Sequence, residues 1–212
     1  LTGAADYLDT DLSTTSLDGS ALGNLAAATH ESGLTLTISD AQAHALVHHG
    51  LEFATDDHIG LDGAYGTHLS TSLKDLEKLK VDTVTVGANG LNVDLGAGGL
   101  EGFAGGGVHF TDGGIATLNL TDANTKPGDL ATTDGFTDEF NALAQAGFDA
   151  VSVEQISNID SLLTGASGYN DNDLTTVGLD GSALGNLAFA TQQSGLTLTI
   201  SDAQAHALVH HG

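Results

Sequence analysis

The 212-residue chain contains no cysteine, methionine, tryptophan or arginine, and has a single proline and only four lysines. Each absence removes a class of function. Without cysteine there is no disulfide framework, no thiolate zinc site and no thiol nucleophile. Four lysines against 28 acidic residues leave a formal net charge of -24, so nucleic acid and anionic membrane are repelled as partners and cations are the natural counter-ions. No apolar run approaches the roughly 20 residues that cross a bilayer, and Leu1 does not open a charged-then-apolar signal segment. At 40% hydrophobic residues the chain still has enough apolar surface for a core, which argues against reading its acidity as disorder.

What the chain has instead is repetition. Leu34 to Gly50, LTLTISDAQAHALVHHG, returns letter for letter at Leu196 to Gly212. Extended backwards without a gap, the match pairs Leu1 with Leu163 and gives 40 identities in 50 positions at a translation of 162 residues. Residues 1–162 therefore read as one long repeat and 163–212 as the start of the next. The expectation is a window on a longer tandem array, folded as one continuous structure.

Within the long repeat a smaller pattern recurs: a run alternating apolar with Thr or Ser, then Asp or Ser, then an amphipathic stretch, then a glycine-containing turn. This is the signature of a strand followed by a helix. Strands are expected near 12–17, 34–39, 57–61, 81–86, 115–120, 148–153, 174–179 and 196–201. One such module cannot hide its own apolar face, so modules stack. The expected class is α/β, a solenoid of roughly 24-residue strand–helix units with a parallel sheet; a parallel β-solenoid with short helices is the alternative. Along 34–39, Leu34, Leu36 and Ile38 point one way and Thr35 and Thr37 the other. Apolar sides face helices and hydroxyl sides face water.

Helix starts are legible. Ser39 to Gln42 and Ser201 to Gln204 fit capping boxes. The Leu-Asp-Gly steps at Asp18, Asp62 and Asp180 place a carboxylate where the next helix begins. Leu73, Leu76 and Leu79 fall at helical spacing, as do Phe140, Leu143, Ala144 and Phe148. Residues 87–114 carry 11 glycines in 28 positions where a helix was due, and read as a Gly-rich insertion, either a loop excursion or a tightly packed crossing. Residues 124–135, with Pro127, form a second enlarged connection.

Three constellations bear on function. Asp9, Asp11, Asp18, Asp56, Asp57 and Asp62, with Asp171, Asp173 and Asp180 in the second copy, gather Asp/Asn turns around strands. Such turns can supply the oxygen ligands calcium takes, although Asx turns and helix caps account for the same residues. No EF-hand spacing is present. His44 and His48 lie four apart on an expected helix, a spacing that can present two imidazoles to a transition metal, or simply a polar stripe near a helix C-terminus. The Thr rows, Thr35, Thr37, Thr83, Thr85, Thr197 and Thr199, offer a hydroxyl face to a glycan or are strand formers on a wet surface. Enzymatic patterns are poor: there is no GxSxG, P-loop or dinucleotide fingerprint, no arginine for an acidic polysaccharide substrate, and Asp56 and Asp57 are adjacent on one strand and point apart.

With its near-identical 50-residue copies, its Asp/Gly/Thr/Ala richness, its missing cysteine and its scarce basic residues, the chain resembles the repetitive regions of very large bacterial surface proteins exported by type I secretion, the adhesin and RTX-like class. It departs from them in lacking the GGxGxD nonapeptide, so that family's calcium roll does not carry over. The resemblance implies an extracellular or cell-surface location and a structural or adhesive, non-enzymatic role as stalk, adhesin or filament subunit. Self-association through the repeat ends is expected, with no cofactor required. A calcium- or glycan-binding module is the alternative, and a polysaccharide-degrading enzyme the third reading.

Overall fold

A computed structural model of the chain describes residues 35–48, 50, 52–53, 55, 57–97, 100, 103, 107–111, 113–122, 136–157, 162–163 and 182–211. Among them are eight strands and five helices: β1 (Thr35–Ser39), α1 (Asp40–His48), β2 (His58–Gly63), α2 (Leu73–Leu79), β3 (Val81–Val86), β4 (Leu91–Asp94), β5 (His109–Thr111), β6 (Ala116–Thr121), α3 (Phe136–Gln145), β7 (Ala150–Gln155), α4 (Ala183–Ser194), β8 (Thr197–Thr199) and α5 (Asp202–His211). The expected α/β class and parallel pairing are present. The strands form two four-stranded sheets instead of one, ordered β1-β2-β3-β5 and β4-β6-β7-β8. The chain divides accordingly into two compact units, Leu1–Leu91 with Gly106–Gly114, and Asn92–Gly105 with Ile115–Gly212.

In the first unit, Thr35 stands opposite His58 and Ser39 opposite Asp62. Between β2 and β3 the register shifts at Ile59/Gly60, and β5 follows with His109 opposite Thr83. The side-chain alternation is as read: Ile38, Val84 and Val86 are buried, while Thr35, Thr37, Thr83 and Thr85 are exposed. Helix α1 packs on β1, β2 and α2, and α2 packs on β3. The leucine stripe of α2 explains its place, since Leu73, Leu76 and Leu79 are fully buried and each such side chain is worth about 2 to 3 kcal/mol. Ser72 starts this helix; its Oγ accepts from the Asp75 N–H at 3.2 Å and donates to Asp75 Oδ2 at 2.7 Å. Lys80 ends it in the left-handed region, φ 61°, with its N–H donating to the Glu77 carbonyl at 3.0 Å.

The turns that follow β2, β3 and β5 are stacked backbone on backbone. A Cβ at Gly87 would lie 2.6 Å from the Ala64 carbonyl oxygen, and one at Gly113 or Gly114 would overlap the carbonyl oxygens of Val86 and Gly87. At Gly87, Gly113 and Gly114 the backbone therefore approaches the preceding turn too closely for a side chain. Strands β4 and β5 inside the Gly-rich insertion were not expected. At four and three residues they are too short to display an alternation, and glycines surround them.

In the second unit, Leu118 of β6 faces Val151 of β7, and Val151 faces Leu198 of β8. Strand β8 lies directly against β7 although 47 residues separate Ala150 from its partner Thr197. The strands expected at 12–17 and 174–179 lie outside the described residues. Phe140, Leu143 and Phe148 are buried, and α3 packs on α4, which packs on β8. Ser182 caps α4 by accepting from the Gly185 N–H at 2.9 Å, and Gly195 ends it at φ 79°. Ser152, expected to face water, is buried, with its Oγ accepting from the Glu154 N–H at 3.3 Å.

Candidate functional site

The two copies of LTLTISDAQAHALVHHG build the same local structure. Each is a strand, then a helix that follows directly on a serine and whose third residue is glutamine. In the first, the Ser39 N–H donates to Gln42 Oε1 at 2.9 Å and the Gln42 N–H to Ser39 Oγ at 3.3 Å. In the second, the corresponding bonds from Ser201 and Gln204 are 2.8 and 3.1 Å. These are the capping boxes read from the sequence.

The copies differ in which side is covered. β1 pairs with the strand that follows it, β2, and the Asp40 carboxylate accepts from the Ser70 and Thr71 N–H groups at 2.8 and 3.0 Å. β8 pairs with the strand that precedes it, β7, and the Gln204 amide, 5% exposed, donates to the carbonyls of Val153 and Ile156 at 2.7 and 2.8 Å. Reciprocally, Gln42 and Asp202 are exposed. One 17-residue sequence thus shows its two opposite sides in use, and among the described residues β1 and β8 are both terminal strands of their sheets.

Other aspartates bind neighbouring strands in the same manner. Asp82 Oδ2 accepts from the Ile59 N–H at 2.6 Å, with His58 Nδ1 at 3.9 Å, and Asp149 Oδ2 accepts from the Ala116 N–H at 2.8 Å. Asp122 accepts from the Ser157 N–H at 3.2 Å and from its hydroxyl. Each of these carboxylates satisfies a strand-end or loop donor of an adjacent chain segment. The sequence shows Gln204 as a capping-box residue but not its bonds to Val153 and Ile156, nor the clamping roles of Asp40, Asp82 and Asp149; for the last two the available signal was a lone aspartate set against the apolar residues at a strand start, as in Val81-Asp82 and Phe148-Asp149.

Of the residues singled out for calcium, Asp9, Asp11, Asp18, Asp56, Asp171, Asp173 and Asp180 lie outside the described residues. Asp57 immediately precedes β2 and Asp62 stands near its end, five residues on and so roughly 16 Å along an extended chain, too far to share an ion. Asp62 does not begin a helix as expected. Its Oδ1 accepts from the Ala64 N–H at 3.0 Å, an Asx turn, because α2 starts only at Leu73. His44 and His48 are both exposed on α1. Among the described residues, no group of three or more His, Cys, Asp and Glu converges as a metal would require.

Asp62 and Asp40 line a cavity of about 340 Å³ together with Tyr65, Gly66, His68 and Leu69. Its volume falls in the range of small-molecule sites. Tyr65 is 94% exposed, so one aromatic face is open to solvent. No helix among the described residues is long and apolar enough to cross a membrane. Comparison with protein-family models, with curated proteins and with solved structures finds no match.

Proposed function

We propose that this chain is a structural repeat segment of an extracellular surface protein, an α/β solenoid serving as stalk, adhesin or filament subunit. One observation carries the reading: two copies of the same sequence, 162 residues apart, make the same strand and capped helix and use opposite sides of it. A module built to be covered on both sides is what tandem stacking requires, because each copy shelters the next. Length is then set by the number of copies, and the role is mechanical reach. Small-angle scattering and electron microscopy of the purified chain test it. An elongated particle is expected; a sphere-like one ends the reading.

The cavity beside Asp62 favours a second reading, a calcium- or glycan-binding module. A solvent-facing tyrosine flanked by carboxylates is a platform on which a sugar ring can stack while its hydroxyls donate to Asp40 or Asp62. Titration of neutral and acidic oligosaccharides against the chain and its Tyr65→Ala variant tests the glycan half. Binding unaffected by the substitution, or no binding at all, removes it. Melting with and without EDTA tests the cation half in the same way.

A further inference from the structure

We propose that the edge of β1 that no described strand covers, together with the exposed Gln42 side chain, is a docking site for strand β7 of a second copy of this chain, entered when that copy's own residues 196–212 are displaced. The inference deepens the scaffold reading and rests on it.

The identical segment in its second position shows what covers this surface. There Ala150, Val151 and Ser152 stand opposite Thr197, Leu198 and Thr199, and Gln204 Nε2 reaches the Val153 and Ile156 carbonyls. Translation by 162 residues puts the second copy's Ala150, Val151 and Ser152 opposite Thr35, Leu36 and Thr37. Gln42 then donates to the Val153 and Ile156 carbonyls of that copy. The glutamine side chain is already held for this, because the Ser39 N–H donates to Gln42 Oε1 as the Ser201 N–H does to Gln204 Oε1, which leaves the amide nitrogen to donate elsewhere. The opposite edge of β1 stays on β2, and Asp40 stays on Ser70 and Thr71. After docking, the segment is covered on both sides at once.

The exchange replaces one sequence by an identical one, so it alters few local contacts. Swapping of identical elements is a low-cost route to association. The contact is head-to-tail, so each added copy presents the same site again and the assembly stays open.

The absence of cysteine permits a direct experiment with the full chain. One batch carries Ser152→Cys and the other Thr37→Cys; they are mixed, gently oxidised and read by non-reducing electrophoresis. Disulfide dimers between the batches are expected, at a yield about tenfold over Ser152→Cys mixed with Tyr65→Cys, an exposed site outside β1. Two glutamine substitutions then act in opposite directions. Gln204→Ala in the Ser152→Cys chain frees β7 and raises the yield, whereas Gln42→Ala in the Thr37→Cys chain removes two docking bonds and lowers it, each by about tenfold. Equal yields with Thr37→Cys and Tyr65→Cys, or glutamine variants moving the yield the same way, overturn the proposal.

Ser152 is 3% exposed, so an unsubstituted measurement stands beside the cross-link. Amide exchange of residues 35–39 in the parent chain slows as protein concentration rises if β1 docks. Exchange independent of concentration overturns the proposal. The scaffold reading is judged separately, by the shape of the single chain in dilute solution.

Discussion

Replacing Gly87 by alanine tests whether successive turns are in backbone contact. The new Cβ would sit 2.6 Å from the Ala64 carbonyl oxygen, 3.1 Å from Ala64 Cα and 3.2 Å from the Ala64 carbonyl carbon. All three are backbone atoms of the preceding turn, so no rotamer change relieves them. Gly87 is not among the glycines with positive φ, so alanine suffers no conformational penalty and stiffens the unfolded chain, a gain of about 0.4 to 1 kcal/mol. Against that, a carbon–oxygen contact relaxes only near 3.3 Å, and the turn must open by roughly 0.7 Å. Overpacking of this kind costs about 1 to 3 kcal/mol. The expected net loss is about 1 kcal/mol, a fall in Tm of roughly 2 to 4 °C for a chain of this size. Gly60→Ala is the control: its Cβ would meet Thr83 Oγ1 at 3.3 Å and Thr37 Oγ1 at 3.5 Å, hydroxyls that can turn aside. That variant is expected to match or exceed the parent. Thermal melts followed by circular dichroism, with urea midpoints, decide it. If Gly87→Ala melts at or above the parent temperature, the stacking of the turns is wrong.

Further substitutions separate the other devices of the fold. Lys80→Gly removes a side chain from the left-handed cap of α2 and should raise stability by about 1 kcal/mol, since the exposed 4.0 Å contact of Lys80 with Glu52 contributes little; an unchanged urea midpoint contradicts this. Asp40→Ala strands the Ser70 and Thr71 N–H groups and should cost about 1 to 3 kcal/mol, whereas Asp202→Ala, at the equivalent but exposed position, should cost under about 0.5 kcal/mol. Equal losses would remove the claim that the two copies use opposite sides. Asp149→Ala leaves the Ala116 N–H without its carboxylate and should cost about 1 to 3 kcal/mol, with faster amide exchange at Ala116 as the local readout.

The elements that could be read from the sequence were those whose determinants are local. Strands β1, β3 and β7 follow from period-two runs of Val, Leu or Ile against Thr or Ser, and α2 follows from Leu73, Leu76 and Leu79. The capping boxes at Ser39 and Ser201 have both partners within four residues. What escaped depends on distant neighbours. The assignment of β4 to one sheet and β5 to the other cannot be seen in seven residues scattered among glycines. Asp62 looked like a helix cap because Leu-Asp-Gly resembles a strand-to-helix junction, yet the following helix begins only at Leu73. The roles of Asp82 and Asp149 depend on which strand lies alongside, and a single sequence does not contain that.

Those aspartates also bear on the charge of -24. Asp40, Asp82 and Asp149 each accept backbone N–H bonds from a neighbouring segment, and a charged acceptor makes such bonds roughly twice as strong as neutral ones. Part of the acid is therefore structural, while other carboxylates, Glu52, Asp138 and Asp202 among them, face solvent, where like charges repel. Salt should weaken the repulsion more than the clamps, because screening acts on separated exposed charges, over about 10 Å at 0.1 M and 3 Å at 1 M. Stability should accordingly rise with sodium chloride. Calcium chloride at matched ionic strength distinguishes screening from binding: equal melting temperatures mean that the charge acts as a diffuse field, and a further rise with calcium alone means that particular carboxylates hold the ion. A melting temperature that falls as sodium chloride is added would refute the division of the acid into clamps and mutually repelling surface.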